Sequence, residues 1–278
     1  MKTKVLVTVK TYPRLSEKHL ETVCTAGFRE NGEWIRIYPI PFRLLYNYDK
    51  GTYAKWQWIE VDLEKNPRDD RPESYRIRDI ETLELGNKID KNEYKRNWIL
   101  KNKTIYRNMD ELLEKTKANE ISLAVLKPVN VIDVTCEKED SGKFIEKLNK
   151  IKEAYEIKRK QLKLFEEQQV IQYSFNFAEQ IPYKFRYKFT TEDGKVRHLM
   201  IEDWEIGMLY RNCCKKHSQE EACNLVREKY LDMAQKRELY LFLGTTFQWQ
   251  KKNAPDPYVI VGVFSHPKIM QLSFGFEE

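Results

Sequence analysis

The 278 residues contain no run of about 18 to 20 apolar residues, so the sequence offers no membrane-spanning helix. Cysteine is scarce and odd in number, with five residues at positions 24, 136, 213, 214 and 223. A disulfide-built chain would be shorter, and its cysteines more numerous and even in number. The opening MKTKVLVTVKTYP has a short apolar run broken by Lys10 and no small-residue cleavage site. It reads as a first strand and not as a signal peptide, and the expected location is cytoplasmic. Phosphate-cradling glycine patterns are missing too: Gly244-Thr245-Thr246 and Gly262 have neither the dinucleotide nor the Walker spacing. There is no His-Glu-x-x-His zinc helix and no Gly-x-Ser-x-Gly elbow, and no cofactor is implied.

What is present is aromatic and charged. Aromatic residues make up 13% of the chain, which favours strands, where rings sit well on a pleated, half-buried surface. A third of the residues are charged, yet the net charge is only +6. That balance permits a polyanionic partner without requiring one.

The patterning predicts an α+β chain dominated by strands. Val5, Val7 and Val9 alternate in an opening strand, and Asn31-Gly32 marks a hairpin between Thr22–Ala26 and Trp34–Tyr38. In KWQWIEVDLEK, Gln57, Ile59, Val61 and Leu63 share one face. The following NPRDDRPESYRIRD reads as a polar loop with too few apolar residues to pack. Residues 91–118 read as helix in two pieces, and SLAVLKP and VNVIDVTC as short strands. Phe144, Leu148, Ile151, Tyr155, Leu162 and Phe165 recur at steps of three and four, which predicts a connector helix over 141–168. The same seam, 144–165, suits a homodimer contact.

Beyond it come a hairpin around Asp193-Gly194, then a helix with Glu202 or Asp203 at its first turn. A second helix opens on the Ser218/Glu221 capping box, and two buried strands close the chain. The fold expected is two β-rich domains, OB-like or PUA-like barrels or half-barrels, at 1–140 and 169–278, joined by the long helix.

Two strands carry rings with cations. In YKFRYKF, Tyr183, Phe185, Tyr187 and Phe189 lie on one face and Lys184, Arg186 and Lys188 on the other, with Arg197 on the partner strand. Cations that track phosphate and rings that stack bases are how single strands are gripped. The alternative is that the rings face the core and the cations form a solvated face. In GEWIRIYPIPFR, Trp34, Arg36 and Tyr38 share a face, Ile35 and Ile37 point behind them toward the core, and Arg43 follows. Such a platform suits a base and a phosphate, or else a packed Trp with Arg lying across it.

Residues 24–36 carry a resemblance. Cys24, Ala26 and Gly27, then Trp34, Ile35 and Arg36, resemble the start of prokaryotic proteins with dual OB-type domains, over about 20 to 60 residues. The resemblance implies a β-barrel often used for nucleic acid, in a prokaryotic protein that handles foreign or modified nucleic acid, as in antiviral defence.

Other chemistry is thinner. Glu60 and Asp62 on one strand face, with Asp203 and Glu205 farther on, are the acids that a metal-dependent nuclease would use. Cys213, Cys214, His217 and Cys223 are residue types that zinc accepts, but the adjacent cysteines lack the usual spacing of structural sites. The expectation is a nucleic-acid-binding protein using Trp34, Arg36, Tyr38, Arg43, Lys184, Arg186, Lys188 and Arg197. The alternatives are a metal-dependent nuclease and a protein-interaction or nucleotide-sensing module.

Overall fold

The computed structural model describes residues 2–16, 20–41, 53–163 and 181–268. In the first half, the strands are β1 (Lys2–Lys10), β2 (Arg14–Ser16), β3 (Leu20–Arg29), β4 (Trp34–Pro41), β5 (Gln57–Lys65) and β6 (Ser74–Lys88). Five of them close a barrel in the order β1-β5-β6-β4-β3, with β3 returning to β1, and β2 extends the sheet beyond β3. Every pairing is antiparallel except β4 with β6. Closure needs Gly27, because a Cβ there would stand 1.9 Å from the Leu6 carbonyl oxygen. Period two then sends Val5, Val7, Ile35, Ile37, Ile59 and Val61 into the barrel interior, as the alternation predicts.

After the barrel come α1 (Asn92–Asn102), β7 (Ile105–Tyr106), α2 (Met109–Lys117), β8 (Leu123–Leu126), β9 (Asn130–Lys138) and α3 (Ser141–Lys163). Then follow β10 (Tyr183–Thr190), β11 (Val196–Met200), α4 (Trp204–Cys214), α5 (Gln219–Lys236), β12 (Arg237–Thr245), α6 (Phe247–Lys251) and β13 (Tyr258–Pro267). They form two sheets, β13-β12-β8-β7 and β11-β10-β9. The four-stranded sheet is buried on both sides, which is why β12 and β13 read as near-continuous apolar runs. Leu239, Leu241 and Leu243 face the three-stranded sheet and the helices α2, α4 and α5. Tyr240 and Phe242, one residue out of phase, pack on the outer wall of the barrel with Leu6, Ala26 and Phe28.

The mixed α/β, strand-rich architecture and its two parts agree with the patterning, but three features differ. Strands 123–138, placed with the first half by the sequence reading, hydrogen-bond to β12 and β10, so the sheets do not divide at residue 140. The stretch NPRDDRPESYRIRD is no unpacked loop. Its carboxyl-terminal part starts β6, and Asp69, Arg71, Glu73 and Ser74 are buried by bonding to one another and to the second half. Finally, α3 lies against β2, and Ile151 of the expected dimer seam is buried within the chain. The side chains of Phe144, Tyr155, Leu162 and Phe165 lie outside the described residues.

Candidate nucleic-acid interface

The strand that raised the nucleic-acid expectation turns its ring-and-cation face toward the chain's own second half. Trp34 meets Phe28 edge-on at 4.5 Å and Phe242 at 6.0 Å between ring centres. Arg36 is 2% exposed. Its guanidinium donates to Ser122 Oγ at 2.6 Å and to the Ser122 carbonyl at 3.1 Å. Glu73 in turn accepts from the Ser122 hydroxyl at 2.6 Å and from its backbone N–H at 2.9 Å. A guanidinium so buried and bonded is not offered to a phosphate, which corrects the expectation for Arg36. Tyr38 is 36% exposed, and Arg43 lies outside the described residues.

The β10 hairpin follows its second alternative. Tyr183, Phe185, Tyr187 and Phe189 pack into the core between the two sheets. On the other face, most of the cations meet carboxylates. Lys184 lies 2.6 Å from Glu139 and Arg186 bonds to Glu137. Arg197 of β11 pairs with Phe189 and so shares the rings' face, where it lies 2.7 Å from Asp110. Glu137 falls below the usual carboxylate range because Arg186 hydrogen-bonds its charged form. Lys188 is exposed. The acids come from β9 and α2, so a strand read alone does not reveal them.

Three of the four acids of the nuclease alternative, Asp62, Asp203 and Glu205, serve as ion-pair partners. Asp62 bonds to Arg78, and Glu60 sits across from Lys4 on β1. Asp203 caps α4, accepts from the Val263 N–H at 2.9 Å and binds Lys55 at 2.9 Å, while Glu205 lies 3.1 Å from the same ammonium. Burial alone would lower Lys55, but the two carboxylates hold it above the ordinary lysine range. Cys223 is paired with Cys136 in a disulfide, with Cα atoms 6.7 Å apart, and so leaves the expected zinc set. Cys213 and Cys214 pack half-buried on the core and His217 is exposed. Among the described residues, no three His, Cys, Asp or Glu side chains are placed to hold a metal ion.

A different surface brings rings and cations to one face. In α1, Tyr94, Asn97, Trp98 and Lys101 fall at steps of three and four, on one side of the helix. Ile99, on another side, is fully buried against the barrel and sheet. The row lines a cleft of about 770 Å³, whose other wall is Lys88, Ile89, Asp90 and Lys91 at the end of β6. Trp98 packs edge-on against Trp58 at 5.5 Å, and the Lys4 ammonium lies 5.3 Å from the Trp58 ring centre. Tyr94 is 54% exposed, with the Lys91 ammonium 5.8 Å from its ring centre.

Charge here is poorly compensated. Lys88 and Asp90 are 3.5 Å apart and both solvated, a contact worth little. Lys91 and Lys101 have no ion pair among the described residues. Burial and then the nearby Lys88 pull Lys95 below the usual lysine value, against the opposing pull of Asp90 and Glu205. The spacing Tyr94-x-x-Asn97-Trp98-x-x-Lys101 was the signal available in the sequence. It passes for an ordinary helix face until the fold leaves it uncovered.

Lys103, just past α1, is enclosed differently. Its ammonium lies 4.5 Å from the Phe28 ring centre and 5.1 Å from that of Trp34, and burial lowers it to about 8. In the unfolded chain it would titrate near 10.4. Below pH 8, the folded state bears a buried charge that the unfolded state holds in water. Between about pH 8 and 10, the folded state loses that proton first, so stability rises with pH. Urea midpoints at pH 7, 8.5 and 10 should therefore climb in the wild type relative to Lys103→Met. Parallel curves for the two would refute the assignment.

Residues 1–104 match the model of a domain of unknown function (DUF8758), and residues 105–277 match that of a second domain of unknown function (DUF8757). The chain belongs to the DUF8757 family. No curated protein matches it. The two matches meet just after α1, where the barrel ends and β7 opens the second sheet.

Proposed function

We propose that the chain binds nucleic acid, DNA or RNA, through the cleft between α1 and the end of β6. The observation that carries this reading is the coincidence of Tyr94, Trp98, Lys91 and Lys101 on one open face. Rings that stack bases beside cations that neutralise phosphates are the ingredients of such surfaces. We further read the barrel as OB-type. Numbered along the barrel alone, its strands run 1-2-3-5-4 and back to 1, with one parallel pair, a five-stranded Greek-key arrangement. In OB-folds, the face of strands two and three usually holds the ligand. Here those strands are β3 and β4, and the β12–β13 sheet covers their outer face. A ligand surface on the β6–α1 flank is consistent with that cover.

Fluorescence anisotropy with labelled oligonucleotides, at a series of salt concentrations, tests the reading. If three lysines neutralise phosphates, log K should fall with log salt at a slope of about −2 to −3. The double variant Lys91→Ala/Lys101→Ala should weaken binding to every sequence alike and flatten that slope by about two units. An affinity that ignores salt, or a slope that the double variant leaves unchanged, would remove the cleft from consideration.

A further inference from the structure

Resting on that reading, we infer that the cleft takes a single strand and excludes duplex, with Tyr94 as the stacking platform and Asn97 as a contact to base edges. The argument begins with the helix row. Tyr94 exposes more than half of its surface and packs against no other ring among the described residues, its ring neighbour being the Lys91 ammonium, whereas the Trp98 ring is fixed against Trp58 and Phe28. One aromatic face is therefore anchored in the wall, and another, one turn away, is left open beside it. A duplex buries its base faces in its own stack and offers such rings nothing. A single strand offers a face at every base.

The cations fit the same ligand. Lys91, the residue before the first turn of α1, and Lys101, in its last turn, are separated by about 15 Å of helix axis. That distance suits phosphates some two to three nucleotides apart, a short site beside the ~4 to 16 nucleotides that an OB-fold covers. The cleft is a concavity of about 770 Å³, and a duplex presents a convex rod. Asn97 lies between the two rings in sequence and opens into the same space, carrying one acceptor and two donors. An amide at that position can meet the hydrogen-bonding edge of a base whose face rests on Tyr94. Asp90, across the cleft, adds acceptors that pair with amino-bearing edges and repel phosphate. The strand is thus oriented with bases toward Asn97 and Asp90 and backbone toward Lys91 and Lys101.

The test uses the full chain and anisotropy at low salt, with labelled dT12, dA12, dC12, rU12 and a 12-base-pair duplex. The variants are Tyr94→Ala, Asn97→Ala and, as a control, Lys143→Glu on α3, where the side chain is exposed. The expected result is at least tenfold tighter binding of the best single strand than of duplex. Tyr94→Ala should lose about tenfold or more of single-strand affinity, the loss of one stacked base, and change duplex binding little. Asn97→Ala should compress the differences among the homopolymers, and the control should change nothing. Duplex binding equal to or tighter than single-strand binding, or a silent Tyr94→Ala, would overturn the single-strand inference while leaving salt-dependent nucleic-acid binding standing. No binding of any probe would overturn both. Circular dichroism of each variant separates a lost platform from a lost fold.

Discussion

Arg36→Met is expected to destabilise the protein by about 3–5 kcal/mol, the cost of removing one charge from a buried network in which Ser122 bridges Arg36 to Glu73. The guanidinium donates to both oxygens of Ser122, and Glu73, itself 9% exposed, accepts from the Ser122 hydroxyl and N–H. Without Arg36, the Glu73 carboxylate stays buried on its two Ser122 contacts and loses the guanidinium on the far side of that serine. The double variant Arg36→Met/Glu73→Gln should recover part of the loss, because it removes the stranded charge. Urea unfolding of the two variants and of Glu73→Gln alone completes a cycle whose coupling should exceed about 1 kcal/mol. A single variant near wild-type stability, or additive effects, would show that the network is solvated in solution.

Phe242→Ala should cost a similar amount, about 3–5 kcal/mol, for a different reason. The ring is fully buried and lies 6.0–6.4 Å from the rings of Trp34, Trp56 and Phe28, three side chains of the barrel's outer wall. Packing around it is tight enough that a Cβ on Gly262 would approach its edge to 2.8 Å. Alanine would leave a cavity between the halves that neither sheet can collapse to fill. Because the core is shared, far-UV circular dichroism and tryptophan fluorescence should report one transition, shifted as a whole. Two separated transitions, with only one of them moved, would show that the halves fold independently.

Much of the fold was legible because it is local. Asn31-Gly32 turns the hairpin with Gly32 at φ 83°, and Ser218 and Glu221 form the capping box that their spacing announces. The faces of β4, β5 and β10 follow period two, so Ile35, Ile59 and Phe185 were readable as inward. What covers an outward face is not local. Trp34 and Arg36 face away from the barrel interior, as period two predicts, but Ser122 just before β8 and Phe242 of β12, which bury them, lie some 90 to 200 residues later. The cations of β10 lie opposite the rings, as period two requires, while the carboxylates that meet them arrive from β9 and the residue after it. Asp69, Arg71 and Glu73 misled in the opposite direction, since charges read as solvated when their partners are unseen. The α1 row does not stand out in sequence, because a ring, an amide and a lysine at helical spacing also describe a packed face.

Alternation along β12 has a further consequence. Its odd-numbered leucines complete one core, and its even-numbered rings complete another that also belongs to the barrel. A cut at residue 104, where the two family matches meet, would strand Tyr240, Phe242, Val259 and Val261 on one fragment and Leu6, Ala26 and Phe28 on the other. Each piece would then carry a sticky apolar wall with nothing against it. Either fragment, made alone, would therefore need a substitute lid over that wall to stay dispersed.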